Sequence, residues 1–214
     1  SRISFEEMLE LAGQGSRVLH LRSVEFAAKY NVPLRVLSSF RPGPGTLICK
    51  EDPSVEAPLI SGIAFNRDEA QITVSGLPDT PDCVARVLKP ISSANIEVDM
   101  IVLASGREGL KDLSFTVHRD DFLEAQRLAQ NITAQFNGCR LSADNSVAKV
   151  AIVGVGMRSH AGVATQLFES LARQGVKALL ISTSEIKIAL LIPESAVESC
   201  VKCLHEDLGL TRAL

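Results

Sequence analysis

Tryptophan is absent, and aromatic residues make up only 4% of the 214-residue chain. Any core must therefore be packed with aliphatic side chains, and the 46% apolar content is enough to fill one. There is no excess of basic charge: the formal net charge is -3, and no aromatic–basic interleaving suggests a nucleic-acid surface. No apolar run approaches the roughly 20 residues that a membrane-spanning helix needs, and no membrane partner is expected. No signal peptide opens the chain, since Ser1–Glu7 already reads as structured sequence. A cytoplasmic location is the expectation. The five cysteines are odd in number, and Cys49, Cys83 and Cys139 lie far apart, which argues against a disulfide framework. Cys200 and Cys203 form the one close pair. No second Cys or His pair completes a zinc site, so no metal is expected and the pair reads as structural.

What is present falls into three parts. Residues 1–50 show helical spacing from Phe5, with Ser4 as N-cap and Gly13 as stop, and a second helix over Arg22–Tyr30. Two short strands follow, near Pro33 and Leu47, separated by the rigid turn Arg41–Thr46. Fifty residues of this kind bury too little surface to stand alone. Residues 51–58, acidic with two prolines, read as a linker.

From Leu59 the strand signals are clear: Leu59–Asn66, Gln71–Gly76, Ile96–Leu103, Leu113–His118, Cys139–Ala143, Val147–Gly154, Val176–Ser182 and Ile186–Ile192. Helices are predicted over Asp82–Ser93, Asp120–Phe136, Gly162–Gln174 and Glu194–Asp207. The pattern predicts an α+β fold of two ferredoxin-like βαββαβ units. One unit is residues 69–145. The second, 147–214, lacks its last strand, and the economical repair is that residues 59–66 supply it. Asn66–Asp68 would then turn the chain from one unit into the other.

The densest signal is the strand–turn–helix run Val153–Ala164, with glycines at 154, 156 and 162, followed by the polar segment Ile181–Ile186. A glycine-rich turn into a helix N-terminus exposes backbone N–H groups and partial positive charge, which suits the carboxylate of a small ligand. The same residues admit a plainer reading, in which Ser159 caps a helix and the glycines only permit the turn.

Those two runs, together with Asn95–Met100, resemble the tandem ACT domains that regulate aspartate kinases. Ser4–Ala12, Val18–Glu25 and Ser38–Thr46 look like the last part of the catalytic, amino-acid-kinase domain of the same family. The resemblance covers nearly the whole chain. It implies the regulatory part of an enzyme that phosphorylates L-aspartate with ATP, inhibited by an end-product amino acid. In some relatives this part is a separate subunit that dimerises and joins the full-length catalytic chain. The family's phosphate-binding lysine and glycine motif has no counterpart here. No catalytic residue is therefore expected, no cofactor in this chain, and no activity from it alone; ATP and magnesium belong to the missing kinase core.

By the same resemblance, effector binding in the second unit falls to Met157, Ser159, His160, Gly162, Val163, Ala164, Ser182, Thr183, Ser184 and Glu185, with Asp99 and Ser105 approaching from the first. Glu185 and Asp99 would receive a lysine ammonium group. The first unit departs from the family pattern. Asp82 stands where relatives carry glycine, and it is expected to cap its own helix. Two like charges about 4 Å apart repel by roughly 1 to 4 kcal/mol. Leu103 and Lys177 replace two amide side chains that contact threonine in relatives. With Asp79, Val84 and Ala178 these residues mark a degenerate site. L-lysine is the expected effector and L-threonine is not; the expected partners are a second copy through the ACT domains and a catalytic aspartate kinase chain. A second reading keeps the fold but makes the chain an assembly subunit of a feedback-insensitive kinase. A third, a free-standing sensor for an unrelated enzyme, is opposed by Ser1–Cys49.

Overall fold

The computed structural model describes residues 1–51, 59–159 and 162–210. The linker expected at 51–58 lies, apart from Glu51, outside them. The chain opens with β1 (Arg2–Ser4), α1 (Phe5–Gly13), α2 (Leu21–Lys29), β2 (Leu34–Val36) and β3 (Thr46–Cys49). These strands form a three-stranded sheet in the order β1-β3-β2, with β1 parallel and β2 antiparallel to β3. β1 was not expected, because three residues carry no readable period; it exists through its ladder with Leu47–Cys49. Helix α1 starts as its sequence predicts. The Ser4 hydroxyl accepts the Glu7 N–H, Glu7 reaches back to the Ser4 N–H, and the helix ends at Gly13.

The remainder comprises β4 (Gly62–Leu77), α3 (Cys83–Ser93), β5 (Val98–Ser105), β6 (Lys111–His118), α4 (Phe122–Thr133), β7 (Arg140–Val153), α5 (Val163–Arg173), β8 (Leu180–Thr183), β9 (Lys187–Pro193) and α6 (Val197–Asp207). Two predicted breaks do not exist. Asn66–Asp68 makes no turn, and residues 62–66 of the first predicted strand and 71–76 of the second fall on the single long strand β4. Asp144–Ser146 likewise does not interrupt β7. Both polar triplets lack glycine and proline, so cross-strand pairing decides their conformation over local propensity. The ladder with β6 takes up at Glu69 opposite His118, directly after the supposed turn.

The chain divides into two compact units. The larger holds Ser1–Asn66, Lys149–Leu190 and the residues from Ala196 on; the smaller holds Arg67–Ala148 and Leu191–Ser195. The first fifty residues thus cluster with the second ferredoxin-like unit. In the smaller unit the strand order β5-β6-β4-β7 is that of a ferredoxin-like βαββαβ fold, and β4-β7-β9-β8 repeats the order in the larger. The head of β4 therefore fills the missing fourth-strand place, as the strand count required: the Ser61 N–H donates to Val153 O at 2.8 Å. Its expected separation from the strand of Gln71–Gly76 fails, since the two are one strand.

Aliphatic packing dominates both cores. The smaller unit buries Ile72, Val74 and Leu77 of β4 against Val87 and Ile91 of α3 and Ala125, Ala129 and Ile132 of α4, with Phe115 as its one fully buried aromatic side chain. In the larger unit Phe5, Met8, Leu11, Val24 and Ile48 share one cluster with Ala64 of β4 and Val153 of β7. The N-terminal segment has no separate core.

Glu7 is 3% exposed. Its Oε2 accepts from the Ser4 N–H (3.0 Å) and Ser4 Oγ (2.8 Å). Its Oε1 accepts from Ser61 Oγ (2.5 Å) and the Val155 N–H (3.0 Å). Burial alone would raise its pKa; the bonds from Ser61, Val155 and Ser4 outweigh that and hold it below the ordinary glutamate value. A depressed folded-state pKa contributes stability that is complete above the unfolded value, about 4.3, and is lost as pH falls through the folded value. Glu7→Ala should cost about 3 kcal/mol at neutral pH, since hydrogen bonds to a charged group are removed and buried donors are stranded. Urea unfolding of both proteins should show that difference constant above about pH 5 and shrinking steadily in more acid solution.

Candidate functional site

In the larger unit β7 ends at Val153, and Gly154 leads into a 3-10 turn over Val155–Ser159. The Gly154 N–H donates to Ile186 O (2.9 Å), which joins this turn to the one between β8 and β9. A Cβ on Gly154 would lie 2.3 Å from Leu59 O, so the glycine is required by backbone packing. The Met157 N–H returns to Gly154 O (3.2 Å). Helix α5 begins at Val163 with Gly162 as N-cap, at φ +105° and with no side-chain cap. A Cβ there would meet no atom of the described residues within 4 Å. Ser159 is therefore not the cap: it lies in the preceding 3-10 turn, and the left-handed glycine occupies the cap position. His160 lies outside the described residues. Val163 is buried and Ala164 exposed.

On the same unit Ser182 is half-buried at β8, while Thr183, Ser184 and Glu185 are exposed at its end. Ser184 closes its own turn, donating its N–H to Lys187 O (2.8 Å) and accepting the Ile186 N–H at 3.4 Å. This unit carries a glycine helix start, a glycine turn and a polar β8–β9 turn, and the bond from Gly154 to Ile186 joins the last two. Lys177, exposed, and Ala178, half-buried, precede β8 on this unit.

The corresponding turn of the smaller unit, Gly76–Asp82, is already occupied by its own partners. The Gly76 N–H donates to Asp112 Oδ1 (3.0 Å), Thr80 N–H to Pro78 O (2.9 Å) and Cys83 N–H to Thr80 O (3.2 Å). Asp79 pairs with Lys111 at 3.3 Å, and Lys111 also donates to Ser105 Oγ at 3.3 Å. Asp82 does not cap α3 as expected. Its backbone is already helical (φ −91°, ψ −11°), whereas a cap needs extended backbone to turn its side chain onto the N2 or N3 amide. Its carboxylate instead accepts from the Thr80 hydroxyl and its own N–H, with Arg86 4.0 Å away, and these hold its pKa down. The Arg86 guanidinium lies 4.2 Å over the Phe136 ring. Val84 is half-buried; Leu103 and Asp99 are exposed on β5.

All five cysteines are free, and burial with the nearby Cys203 pushes the Cys200 thiol up to about 11. Cys203 donates to Asp207 Oδ2 (3.1 Å) within α6, and Ser170 and Arg173 of α5 reach the same carboxylate and tie the two helices together. Among the described residues no His, Cys, Asp or Glu group is arranged to hold a metal, and no helix is long and apolar enough to cross a membrane. Sequence reasoning missed Glu7 and Ser61. The spacing Ser4-x-x-Glu7 is a capping-box signature, but nothing local points Glu7 at Val155, 148 positions away.

Residues 150–208 match the family model of the ACT domain. With the two ferredoxin-like strand orders, this defines a tandem ACT regulatory region. An aspartate kinase of Pseudomonas fluorescens (strain SBW25) is 55% identical over 205 residues, which is 95% of this chain and 50% of that relative. A crystal structure of aspartokinase alpha and beta subunits contains a chain that is 40% identical, with a TM-score of 0.65, 70% of this chain covered and 99% of that one. E. coli aspartokinase III, solved in complex with lysine and aspartate, is 26% identical with a TM-score of 0.74, over 97% of this chain and 46% of that one. The chain belongs to the aspartate kinase family and corresponds to its regulatory region. It spans about half the length of the curated relatives it matches.

Two glycine substitutions should separate packing from backbone strain. Gly154→Ala forces a methyl group against the Leu59 carbonyl and should cost about 3 kcal/mol. Gly162→Ala has room and pays only for its left-handed backbone, about 1 kcal/mol. Urea unfolding of the two variants should rank them in that order.

Proposed function

We propose that this chain is the allosteric part of an aspartate kinase and binds L-lysine at the larger unit's glycine turn. The observation that carries this reading is the contrast between the two turns. Gly162 brings no side chain to the start of α5, while the start of α3 carries the Asp82 carboxylate and the Gly76–Asp82 turn bonds to its own carbonyls and to Asp112. A ligand carboxylate finds backbone donors at the first and a resident carboxylate at the second. The exposed Glu185 and Thr183 offer acceptors to a ligand's amino groups, and the lysine complex of E. coli aspartokinase III supports that choice of effector. Ser159 belongs to the same turn, while Asp99 and Ser105 lie on the smaller unit.

The catalytic half is proposed to lie outside this chain, together with ATP and magnesium, so the chain alone is inactive. Its N-terminal segment exposes Phe26, Tyr30, Val32, Leu37 and Phe40, the last at 95%. Exposed apolar side chains of this kind suit packing against the rest of a kinase domain. The same exposed side chains favour a second reading, an assembly subunit that binds no effector. Pairing with a second copy is supported by β5, which ends the strand order and exposes Ile101 and Leu103. A cytoplasmic location follows from the proposed metabolic role.

Calorimetry with L-lysine and L-threonine decides between the readings. Saturable heat with lysine and none with threonine is the expected result. Tight threonine binding without a lysine response would reject the proposal, and silence with both would favour the assembly role. Gly162→Asp, which puts a carboxylate at the open cap, should weaken lysine binding tenfold to a thousandfold. A coupled ATP assay on the pure chain should show no aspartate-dependent turnover.

A further inference from the structure

The two oxygens of Glu7 serve different parts of the larger unit. Oε2 closes the capping box of α1 through Ser4. Oε1 leaves that helix and binds Ser61, at the head of β4, and the backbone of Val155, the first residue of the 3-10 turn. We propose that Glu7 is a positioning residue for the glycine turn, a rigid strut through which the conformation of residues 154–159 and that of helix α1 are held to one another. The identification of the turn as an effector site rests on the reading above; the strut itself does not.

A capping box needs only one carboxylate oxygen, and a helix-capping glutamate ordinarily faces water. Here the side chain is buried and the second oxygen is spent on a residue 148 positions away. The turn has little freedom at that point. Gly154 is pressed against Leu59 and bonded to Ile186, and the Ser61 N–H is bonded to Val153 on the other side. A displacement of Val155 that keeps the 3.0 Å bond must move Glu7, and Glu7 cannot move without opening its own cap on α1. Helix α1 belongs to the segment that resembles the end of the kinase domain, so the strut runs from the turn to the kinase-derived helix within one compact unit.

Amide hydrogen exchange on the full chain tests the strut without any ligand. Glu7→Gln keeps the shape but turns a donor toward either Val155 or Ser4. The Val155 amide and its turn neighbours should exchange at least tenfold faster than in Ser4→Ala, a variant that damages the cap and spares Oε1. Should Glu7→Gln not fold, Glu7→Asp serves, because the shorter carboxylate cannot reach both Ser4 and Val155. Equal acceleration of the turn in the Glu7 and Ser4 variants would overturn the proposal, for Glu7 would then be a cap and nothing more. Adding L-lysine to the wild type should slow exchange in α1 at least threefold, and Glu7→Gln should abolish that response. Lysine that binds with no response in α1 would also overturn it. Failure of lysine to bind would reject the effector assignment, and the ligand-free comparison would still decide the strut.

Discussion

Each ACT unit is built around the pairing of β4 with β7. Each strand is more than twice the length of an average strand, at 16 and 14 residues, and each is divided between the two compact units. Within the smaller unit β4 lies between β7 and β6, with β5 beyond β6; within the larger, β7 lies between β4 and β9, with β8 beyond β9. Sharing two strands in this way gives each unit the first-beside-fourth strand pairing of a ferredoxin-like sheet. It also leaves the second unit without an orphan edge where its own last strand is missing.

Two turns of one design follow from that duplication, and side chains make them different. Both connect a strand to a helix through a glycine. In the smaller unit Asp112, Lys111 and Thr80 satisfy the turn from within, and Asp82 adds a resident negative charge to the helix start. In the larger unit Gly162 brings no side chain to the helix start. An N–H left without an internal partner retains its capacity to bind an anion, so the chemistry of each turn is decided by what already occupies its donors.

The N-terminal segment shows how a fragment too small for its own core can still be ordered. Phe5, Met8 and Leu11 pack onto Ala64 and Val153, and Lys187 pairs with Glu10 at 2.9 Å. Glu7 then adds a directional, charge-assisted bond to that non-directional packing. Apolar contact fixes that the helix lies on the sheet, and the hydrogen bonds fix where.

Periodicity and turn chemistry by themselves determined most of the elements. The aliphatic runs of β7 and β9, the Ser4 cap with the Gly13 stop, and the glycine turn at 154–162 are all short-range signals, written within a few residues of one another. So was the need for residues 59–66 to serve the second unit, because counting strands requires no coordinates. Tertiary structure alone decided the continuity of β4 through Asn66–Asp68, where pairing with neighbours overrode a polar triplet. It alone decided that Asp82 turns to Thr80 and Arg86, since a cap depends on a backbone angle that residue identity does not encode. And it alone decided the bond from Glu7 to Val155. A hydrogen bond across 148 residues depends on where two backbones meet in space, and local spacing carries no record of that meeting.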